Sequence, residues 1–597
     1  MNILGIGDVT HDTSVCLMKD NQEIFAIEEE RLTRIKHNMV LDPNKYTIEE
    51  QGQHFNGEIE KFTLAVREEK YMRSINYCLD AANMDFSQID NIVISSLYND
   101  LPFRHKACFI NHHLAHAASA FYPSPFANAA ILVLDGYGTY TDGKSECMMF
   151  AQGNNNRIQV FDTVVGYSDF TEAEKISRLK DTHIIFKNSL GVFYQNITIL
   201  IGLGHFGEGK TMGLASYGED RPELNIIREY IQLCSDGQIS IDNRSIFNLC
   251  KNMIADAKVS CNSGQLFKLY ADLAFKHQQL LEEMIIHSCK YLYRVTGEKN
   301  ICLAGGVALN GVANYKILSS TPFEKIFVQP AAGDNGISIG CAMHGMYKLA
   351  GHPRSTEKRK LFSPYLGKVY KPQEIELAIN SFSLNLDEQE LEENACFLAA
   401  KLISEGKIVA WFNGASEIGP RALGNRSILA DPRRSEIRDV INYYVKRREG
   451  FRPFAPAVIA EYCQEYFELA NNSPHMLLVA PVKKGKRFTI PAVTHVDGSA
   501  RVQTVHRELN PIFFELIQHF YRLTGVPLLL NTSFNGKGEP IVETPEDAIR
   551  CFLENNIDYL FLNGRIFSKA EELALDFPVN QGIVSYRNSY TASNKMC

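Results

Sequence analysis

A pattern of strand, short polar turn and second strand occurs twice in this chain. The apolar segments Ile3–Gly7 and Ala130–Leu134 each lead into a polar turn, and another apolar strand follows each turn. The turns are Val9–Ser14 and Asp135–Gly138. Apolar runs bounded by such turns predict β-strands, and a repeated supersecondary unit indicates an internal duplication. We therefore expect two related α/β lobes whose polar turns face one central cleft.

Later segments fit the same α/β scheme. The apolar strands Ile301–Leu303 and Lys325–Val328 each run into a turn that contains glycine. Apolar side chains recur at helical spacing from Gln265 to Thr296, and Gly297 follows as a stop signal. The pattern predicts one long helix between the strands.

The chain changes character at Gly351–Lys360, a polar and charged segment interrupted by glycine and proline. We place a domain boundary there, which divides the chain into residues 1–352 and 361–597. The second part also alternates helix-like and strand-like segments, and the first of them is Glu392–Glu405. Thr544 is predicted to cap a later helix that has proline at its first position.

Composition excludes several classes of protein. Hydrophobic residues make up 45% and charged residues 22%, as in soluble globular proteins. The net charge of −8 argues against a protein covered by nucleic acid. No apolar stretch reaches the ~18 residues of a spanning helix, and the amino terminus lacks a signal-peptide pattern, so we expect a cytoplasmic protein without a membrane partner. The 14 cysteines contain no CxxC pair and are predicted to be reduced core residues.

Two histidines stand one helical turn apart in an alanine-rich segment. In a helix, His112 and His116 share one face, and such a pair can bind a divalent metal if oxygen ligands come from elsewhere. Asp135 and Asp334 lie on glycine-rich turns after apolar strands and are the natural oxygen donors. His113 points elsewhere on such a helix and is not expected to be a ligand. The alternative is a histidine pair that only packs or caps the helix.

Glycine-rich segments provide two candidate phosphate or nucleotide contacts. Gly305 and Gly306 lie between a buried strand and a helix, where paired glycines allow close approach of a ligand; a simple turn is the alternative. Residues 204–211 match the Walker A pattern letter for letter. The glycines and the proline that follow closely disfavour the helix that a P-loop requires. We do not interpret the segment as a P-loop, and Lys210 remains a candidate phosphate contact.

The charge balance inverts between Arg421 and Arg452. Nine basic side chains stand against four acidic ones in this stretch, although the whole chain has a net charge of −8. Proline and glycine flank several of the arginines, and fixed guanidinium groups suit bidentate binding of phosphate or carboxylate. The stretch predicts an anion site; a solvated basic face is the alternative.

Together, these segments resemble the NodU/CmcH-type O-carbamoyltransferases. The resemblance extends from His11 to Val542 and therefore covers nearly the whole chain. The matching stretches are HDTSVCL, EEERLTRIKH, NHHLAHAASAFY, ILVLDGYG, GEGKTMGLASYG, CLAGGVALN, AAGDNGISIG, GPRALGNRSILADPR, FRPFAPAV and LLLNTSFNGKGEPIV. Chance does not produce so many motifs in one order.

The resemblance implies an architecture and a reaction. A TsaD-like domain of the actin/sugar-kinase superfamily is expected in residues 1–352, and a YrdC-like domain in residues 361–597. The YrdC-like domain would convert carbamoyl phosphate and ATP, with Mg²⁺, into carbamoyladenylate, releasing phosphate and pyrophosphate. The TsaD-like domain would pass the carbamoyl group to a hydroxylated small molecule at a metal site, taken to be Fe²⁺. Neither nucleic acid nor a membrane is an expected partner.

The motifs also carry residue roles over to this chain. The implied metal ligands are His112, His116, Asp135 and Asp334. The implied catalytic positions, in contact with adenylate or acceptor, are His11, Asp12 and Lys36. The implied nucleotide contacts of the first domain are Gly305, Gly306, Asn310 and Lys210. The implied carbamoyl phosphate and ATP positions of the second domain are Arg421, Ala422, Gly424, Lys446, Arg452, Arg501, Asn531, Ser533 and Asn535.

The acceptor is the part that the sequence specifies least. Removal of a hydroxyl proton needs a base, and His11 and Asp12 are candidates, although His11 is equally suited to donate a hydrogen bond. Pro43–Phe62 and Glu174–Lys187 match no family motif, and acceptor recognition is expected to vary there. The sequence also leaves the oligomeric state open, with a homodimer among the options.

Three other functions compete with carbamoyl transfer to a small molecule. A relative of the tRNA threonylcarbamoyladenosine machinery shares both domain types but needs a basic surface for tRNA, whereas the basic residues here concentrate in the predicted phosphate site. A sugar kinase of the same superfamily needs neither the histidine pair nor the second domain. An actin-like, nucleotide-dependent scaffold would keep the glycine turns and leave the arginines without a purpose.

Overall fold

The computed structural model describes residues 1–8, 11–20, 22–38, 71–96, 107–141, 144–167, 187–354, 361–389 and 394–570. The strands of the first half are β1 (Asn2–Asp8), β2 (Ser14–Lys19), β3 (Glu23–Glu28), β4 (Asn91–Ser96), β5 (Ala107–Phe109), β6 (Asn128–Leu134), β7 (Tyr140–Thr141), β8 (Lys144–Asn154), β9 (Arg157–Tyr167), β10 (Ile231–Leu233), β11 (Ile239–Ile241), β12 (Asn300–Ala304) and β13 (Lys325–Val328). Those of the second half are β14 (Leu386–Glu388), β15 (Val409–Phe412), β16 (Arg426–Ala430), β17 (Ala455–Ile459), β18 (Leu478–Pro481), β19 (Ser499–Val505), β20 (Leu528–Ser533), β21 (Tyr559–Leu562) and β22 (Arg565–Lys569).

Helices connect and cover these strands. The predicted long helix is confirmed: the side chain of Asn262 caps its start and Gly297 ends it in a left-handed conformation, with φ of 66°. The α-helices are Glu29–Thr33, His112–Phe121, Leu190–Leu200, Glu208–Ala215, Asn243–Ser260, Ser263–Thr296, Gly311–Ser320, Ile337–His344, Pro372–Ser381, Ala395–Ser404, Ile437–Val440, Cys463–Tyr466, Pro511–Thr524 and Pro545–Glu554. Residues 71–82 are helical as well.

Two sheets of the first half have the same topology. The first has the order β3-β2-β1-β4-β5, and the second contains the corresponding series β9-β8-β6-β12-β13. In the first sheet, β1, β2 and β3 pair antiparallel, and β4 and β5 run parallel to β1. In the second, β6, β8 and β9 pair antiparallel, and β12 and β13 run parallel to β6. The predicted duplication is confirmed, and with it the α/β class and the actin/sugar-kinase-like arrangement that the resemblance implies.

The helix that carries the paired histidines packs directly on the helix Ile337–His344. A Cβ added at Gly340 would lie 1.9 Å from the carbonyl oxygen of Ala115, so the two backbones approach as closely as only glycine permits. Asp334 lies in the short turn immediately before Ile337–His344. The contact therefore fixes the histidines relative to this aspartate.

We expect Gly340→Ala to lower the free energy of unfolding of the first half by about 1–3 kcal/mol, as is usual for an overpacked core. The added methyl must push apart two helices that now touch through their backbones. The midpoint of thermal unfolding measures the effect. Gly485→Ala is the control, because no atom lies within 4 Å of the Cβ it adds. Equal midpoints for the two variants would contradict the close helix contact.

The second half has its own nine-stranded mixed sheet, in the order β14-β22-β21-β15-β16-β20-β17-β19-β18. The helix predicted over Glu392–Glu405 is observed as Ala395–Ser404, and β15 follows it. Thr544 caps the last described helix as predicted, since its Oγ1 accepts the N–H of Asp547 at 3.1 Å. The domain boundary at Gly351–Lys360 stays a prediction.

The described cysteines are free and mostly buried, and the described helices include no candidate membrane span. All described cysteines are free, and ten of them are buried, as expected for reduced core residues. No described helix is long and apolar enough to cross a membrane. The cytoplasmic location stays a prediction.

Candidate active site

A cleft of about 1270 Å³ lies between the two halves of the chain. The turn after β1 brings His11 and Asp12 to it, the turn after β6 brings Asp135, and the 3₁₀ turn Asp334–Gly336 follows β13 by a few residues. Lysine and arginine side chains of the second half line the opposite wall. The two aspartates proposed as metal ligands and the residues proposed for phosphate binding therefore line one cavity, and His112 and His116 lie buried behind the aspartates.

The four residues proposed as metal ligands converge at the first wall. His112 Nε2 lies 3.2 Å from Asp135 Oδ2 and 3.5 Å from Asp334 Oδ1. His116 Nε2 lies 3.4 Å and 3.3 Å from the same two oxygens. Donor atoms that share one ion at ~2.1 Å are about 3.0–3.4 Å apart. Two imidazoles and two carboxylates at this spacing fit a divalent first-row metal.

His113 lies beside this set without belonging to it. Its ring is fully buried, its Nε2 is 3.8 Å from Asp135 Oδ2, and neither ring nitrogen has a hydrogen-bond partner among the described residues. Burial lowers the pKa of His113 to about 3, so the ring is neutral. His113 is therefore a natural internal control for the neighbouring histidine pair.

The two carboxylates change the protonation of His116 when no metal is bound. Burial alone would lower the pKa of His116, but the hydrogen bonds and negative charges of Asp135 and Asp334 raise it to about 9. The same contacts, made by His112 and His116, hold the pKa of Asp135 well below its usual range, against the effect of burial. Proton and metal therefore compete for the same imidazole.

Metal binding is expected to strengthen as the pH rises from 7 to 9. An ion must displace the proton from His116, because only neutral imidazole is a ligand. Below the pKa of about 9, each bound ion releases this proton and the dissociation constant falls about tenfold per pH unit; above it, the dependence levels off. Calorimetric titration with Mn²⁺ measures the dissociation constant at each pH, and repeating it in buffers of different ionisation enthalpy measures the number of protons released. A dissociation constant that does not change with pH would contradict this electrostatic account.

Three non-glycine residues with left-handed backbone conformations meet beside the metal site. Asp12, His37 and Phe206 have φ of 56°, 59° and 59°. Asp12 bridges two imidazoles, 3.0 Å from His11 Nδ1 and 2.9 Å from His37 Nδ1, and Phe206 stacks on His37. Such conformations cost about 1–3 kcal/mol each and cluster at functional sites. His37 was not predicted from the sequence, where its only signal is its place at the end of EEERLTRIKH.

Seven cationic side chains of the second half line the cleft: Arg421, Lys446, Arg447, Arg448, Arg452, Arg501 and Lys537. The Nε atoms of Arg421 and Arg501 are buried and have no hydrogen-bond partner among the described residues. Burial and the neighbouring Arg452 lower the pKa of Arg421 to about 10 and that of Arg448 to about 9. Like charges held together out of water need an anion between them, so this wall fits a polyphosphate.

Lys446 is the most enclosed of these cations. Its Nζ donates to Asn535 Oδ1 at 2.7 Å and to the carbonyl oxygens of Asn535, at 3.0 Å, and of Ser533. Burial and nearby arginines hold the pKa of Lys446 well below its usual range. Asn531 donates to the carbonyl oxygen of Ala422 at 3.1 Å, while its Oδ1 is buried without a partner. The structure thus brings the residues proposed for carbamoyl phosphate and ATP, except Gly424, to the lining of the cleft.

Two proposed glycine contacts do not line the cleft, for a steric reason. A Cβ at Gly424 would lie 2.2 Å from the ring of Phe513, and one at Gly305 would lie 2.1 Å from the carbonyl oxygen of Leu134. Both glycines therefore serve close packing of the chain on itself. Gly306 does line the cleft.

Asn310 and Lys210 line the cleft, but protein groups already engage them. Asn310 Oδ1 caps the helix Gly311–Ser320, and its Nδ2 donates to Gln278 at 2.8 Å. Lys210 pairs with the carboxylate of Glu449 at 3.2 Å. A structural role for Asn310 accounts for its contacts fully. Lys36 also lines the cleft, where desolvation lowers its pKa.

The Walker-like segment 204–211 opens into a helix, and the expectation that no helix follows it was wrong. Glu208–Ala215 is helical and packs against the long helix Ser263–Thr296, so tertiary contacts override the poor helix propensity of its glycines. The element before the loop is the helix Leu190–Leu200. A P-loop requires a strand there, so the segment is not a P-loop.

Only part of the basic stretch Arg421–Arg452 reaches the cleft. Arg426 is fully buried and donates to backbone carbonyls at 3.0 Å and 3.1 Å. Arg433 and Arg434 pair with Asp431 instead. The excess of positive charge in this stretch therefore overstates the number of anion-binding residues.

The family model described as carbamoyltransferase N-terminus matches residues 2–102 and 100–343, and the carbamoyltransferase C-terminus model matches residues 400–569. The chain belongs to the carbamoyltransferase family. This finding confirms the resemblance read from the motifs and identifies the chain as a transferase enzyme.

The similar relatives include Nodulation protein NolNO of Sinorhizobium fredii, which is 33% identical over 98% of this chain and 84% of its own length. Nodulation protein NolO of Bradyrhizobium diazoefficiens is 36% identical over 76% of this chain and 77% of its own. Among solved structures, full-length HypF in the phosphate- and nucleotide-bound form has a TM-score of 0.35 and 16% identity, over 59% of this chain and 47% of that chain. A likeness so distant carries no argument about function.

Proposed function

We propose that this carbamoyltransferase forms carbamoyladenylate from carbamoyl phosphate and ATP in its second half. The first half then transfers the carbamoyl group to a hydroxyl of a small natural product. The supporting observation is one cleft with two chemically different walls. One wall presents the aspartates of a buried His₂Asp₂ set, and the other presents arginines of which Arg421 and Arg501 have no partner for Nε among the described residues. A polyphosphate substrate needs the second wall, and transfer to an alcohol needs the first.

The cationic wall suits the first half-reaction. Water cleaves carbamoyl phosphate to carbamate and inorganic phosphate, and a carbamate oxygen attacks the α-phosphorus of ATP while pyrophosphate leaves. Negative charge on the transferred groups is stabilised by fixed cations. Such cations are supplied by Arg421, Arg452 and Arg501. Lys446 adds a fourth, held by its hydrogen bond to the carbonyl oxygen of Asn535 in the turn after β20.

The His₂Asp₂ wall suits the second half-reaction. The acceptor oxygen attacks the carbamoyl carbon, the hydroxyl proton passes to a base and AMP leaves. A divalent ion held by His112, His116, Asp135 and Asp334, with Fe²⁺ as the ion that the resemblance implies, supplies Lewis-acid polarisation. Asp12 orients His11, whose Nε2 lies 3.9 Å from Asp334 Oδ2. His11 and Asp12 are the two bases in this proposal. Asp12 and the metal-site carboxylates raise the pKa of His11 to about 9 against the effect of burial, so the ring donates a hydrogen bond until it loses its own proton and only then takes that of the hydroxyl.

Incubation with Mg-ATP and carbamoyl phosphate tests this function. We expect pyrophosphate release that requires carbamoyl phosphate. Formation of ADP without that requirement would instead indicate a kinase or a scaffold ATPase. A filter-binding assay with tRNA tests the remaining alternative, and labelled carbamoyl phosphate offered with hydroxylated metabolites identifies the acceptor.

A further inference from the structure

Glu28, at the end of β3, is a buried carboxylate that touches both walls of the cleft. Its Oε1 accepts Nδ2 of Asn335 at 2.6 Å and the N–H of Gly419 at 3.0 Å. Asn335 directly follows Asp334 of the metal site, and Gly419 begins the loop that carries Arg421. The side chain of Glu28 is 3% exposed. One oxygen atom therefore joins the metal-site turn to the arginine loop.

Arg31 completes this connection from the next helical turn. It forms an ion pair with Glu28 Oε2, and its Nη2 donates to the carbonyl oxygen of Gly419 at 2.7 Å. The N–H and the carbonyl of Gly419 are thus both held by the first half. Gly419 has φ of 97°, and an added Cβ would lie 2.5 Å from the carbonyl oxygen of Pro330. The arginine loop cannot move without breaking buried polar contacts, which is costly.

We propose that Glu28 couples the two reaction centres, so that an ion at the His₂Asp₂ site strengthens phosphate binding by the arginine wall. The proposal rests on the proposed function. An ion bound to Asp334 restricts the turn that carries Asn335, and the hydrogen bonds of Glu28 pass this restriction to Gly419 and Arg421. Coupling between binding events is reciprocal. The consequence is that carbamoyladenylate forms preferentially in enzyme whose His₂Asp₂ site already holds the ion needed for transfer to the acceptor.

The test compares phosphate binding by the full chain in two states. One sample is metal-free, and the other is loaded with Mn²⁺ and freed of unbound ion by gel filtration. Calorimetric titration with inorganic phosphate is expected to show at least about fivefold tighter binding to the loaded protein, the lower end of typical coupling. In Asn335→Ala, which removes one hydrogen bond to Glu28, the difference is expected to fall below twofold.

A matched control and a second variant make the test specific. Tyr77→Phe removes another contact between the halves, since Tyr77 Oη donates to Glu543 Oε1 at 2.5 Å outside the cleft, and it is expected to keep the full difference. Glu28→Gln leaves the metal-site turn intact and places an amide instead of a carboxylate against Arg31. It is also expected to lose the difference in phosphate affinity, and it takes the place of Asn335→Ala if that variant fails to fold or to bind Mn²⁺.

The outcomes separate this inference from the proposed function. Equal phosphate affinity in both wild-type states, or a full difference in both variants, overturns the coupling alone. Phosphate that does not bind in either state overturns the coupling together with the proposed anion wall. Intact coupling in an enzyme that releases no pyrophosphate would contradict only the proposed function.

Discussion

Arg501→Ala is expected to lower the rate of carbamoyladenylate formation by about 10²–10³-fold. Burial and the neighbouring arginines disfavour the charge of Arg501 and hold its pKa well below its usual range, and its buried Nε has no partner among the described residues. A substrate phosphate would satisfy both this Nε and this charge. Loss of one fixed donor to a transferred group typically costs ~3–4 kcal/mol of transition-state stabilisation. Pyrophosphate release in the presence of carbamoyl phosphate is the measurement. Arg452→Ala is expected to behave in the same way.

Arg434→Ala is the matched control for these arginine variants. Arg434 belongs to the same basic stretch, but it is exposed and lies 3.7 Å from Asp431 outside the cleft. Its replacement is expected to leave pyrophosphate release within about twofold of wild type, as for most surface substitutions. Normal release by Arg501→Ala would place the first half-reaction elsewhere.

His112→Ala or His116→Ala is expected to lower metal affinity by more than about 100-fold, because even outer-sphere partners contribute 10–100-fold. Each variant removes one of the four donors that lie within 4.8 Å of one another. Transfer to an acceptor should stop, whereas pyrophosphate release at saturating substrate should persist, since the arginine wall is untouched. Elemental analysis of metal, measured beside pyrophosphate release, checks both expectations.

His113→Ala is the internal control for the histidine variants. It removes an equally buried imidazole from the same helix, but that imidazole is outside the four-residue set. We expect it to retain metal. Equal metal content in His112→Ala, His113→Ala and His116→Ala would show that His112 and His116 only pack or cap the helix and do not bind metal.

Local patterns in the sequence predicted much of the fold and the residues that meet at the candidate metal site. Apolar runs and polar turns revealed the duplication, because each repeat is a contiguous segment whose strands pair with one another. The spacing of His112 and His116 placed both imidazoles on one helix face, and turn aspartates after strands supplied the oxygens. These features depend on short-range geometry, which the sequence displays directly.

Contacts between distant segments could not be predicted in this way. Nothing near Glu28 in the sequence indicates that Gly419 will donate to it, and the stacking of Phe206 on His37 joins two loops of different lobes. The helix Glu208–Ala215 forms despite its glycines, because the long helix packs against it. Charge counting likewise did not distinguish Arg426, which is buried against backbone carbonyls, from the arginines of the cleft.

The central claim is that both walls of the cleft act on one carbamoyladenylate intermediate. The most direct test is a single turnover without acceptor, using ATP labelled at the α-phosphate and carbamoyl phosphate labelled at carbon. The account predicts one enzyme-bound species that carries both labels in wild type and in His116→Ala, and formation of that species about 10²–10³-fold more slowly in Arg501→Ala. A carbon label that never joins the α-phosphate label, while carbamoyl transfer to acceptor still proceeds, would contradict it.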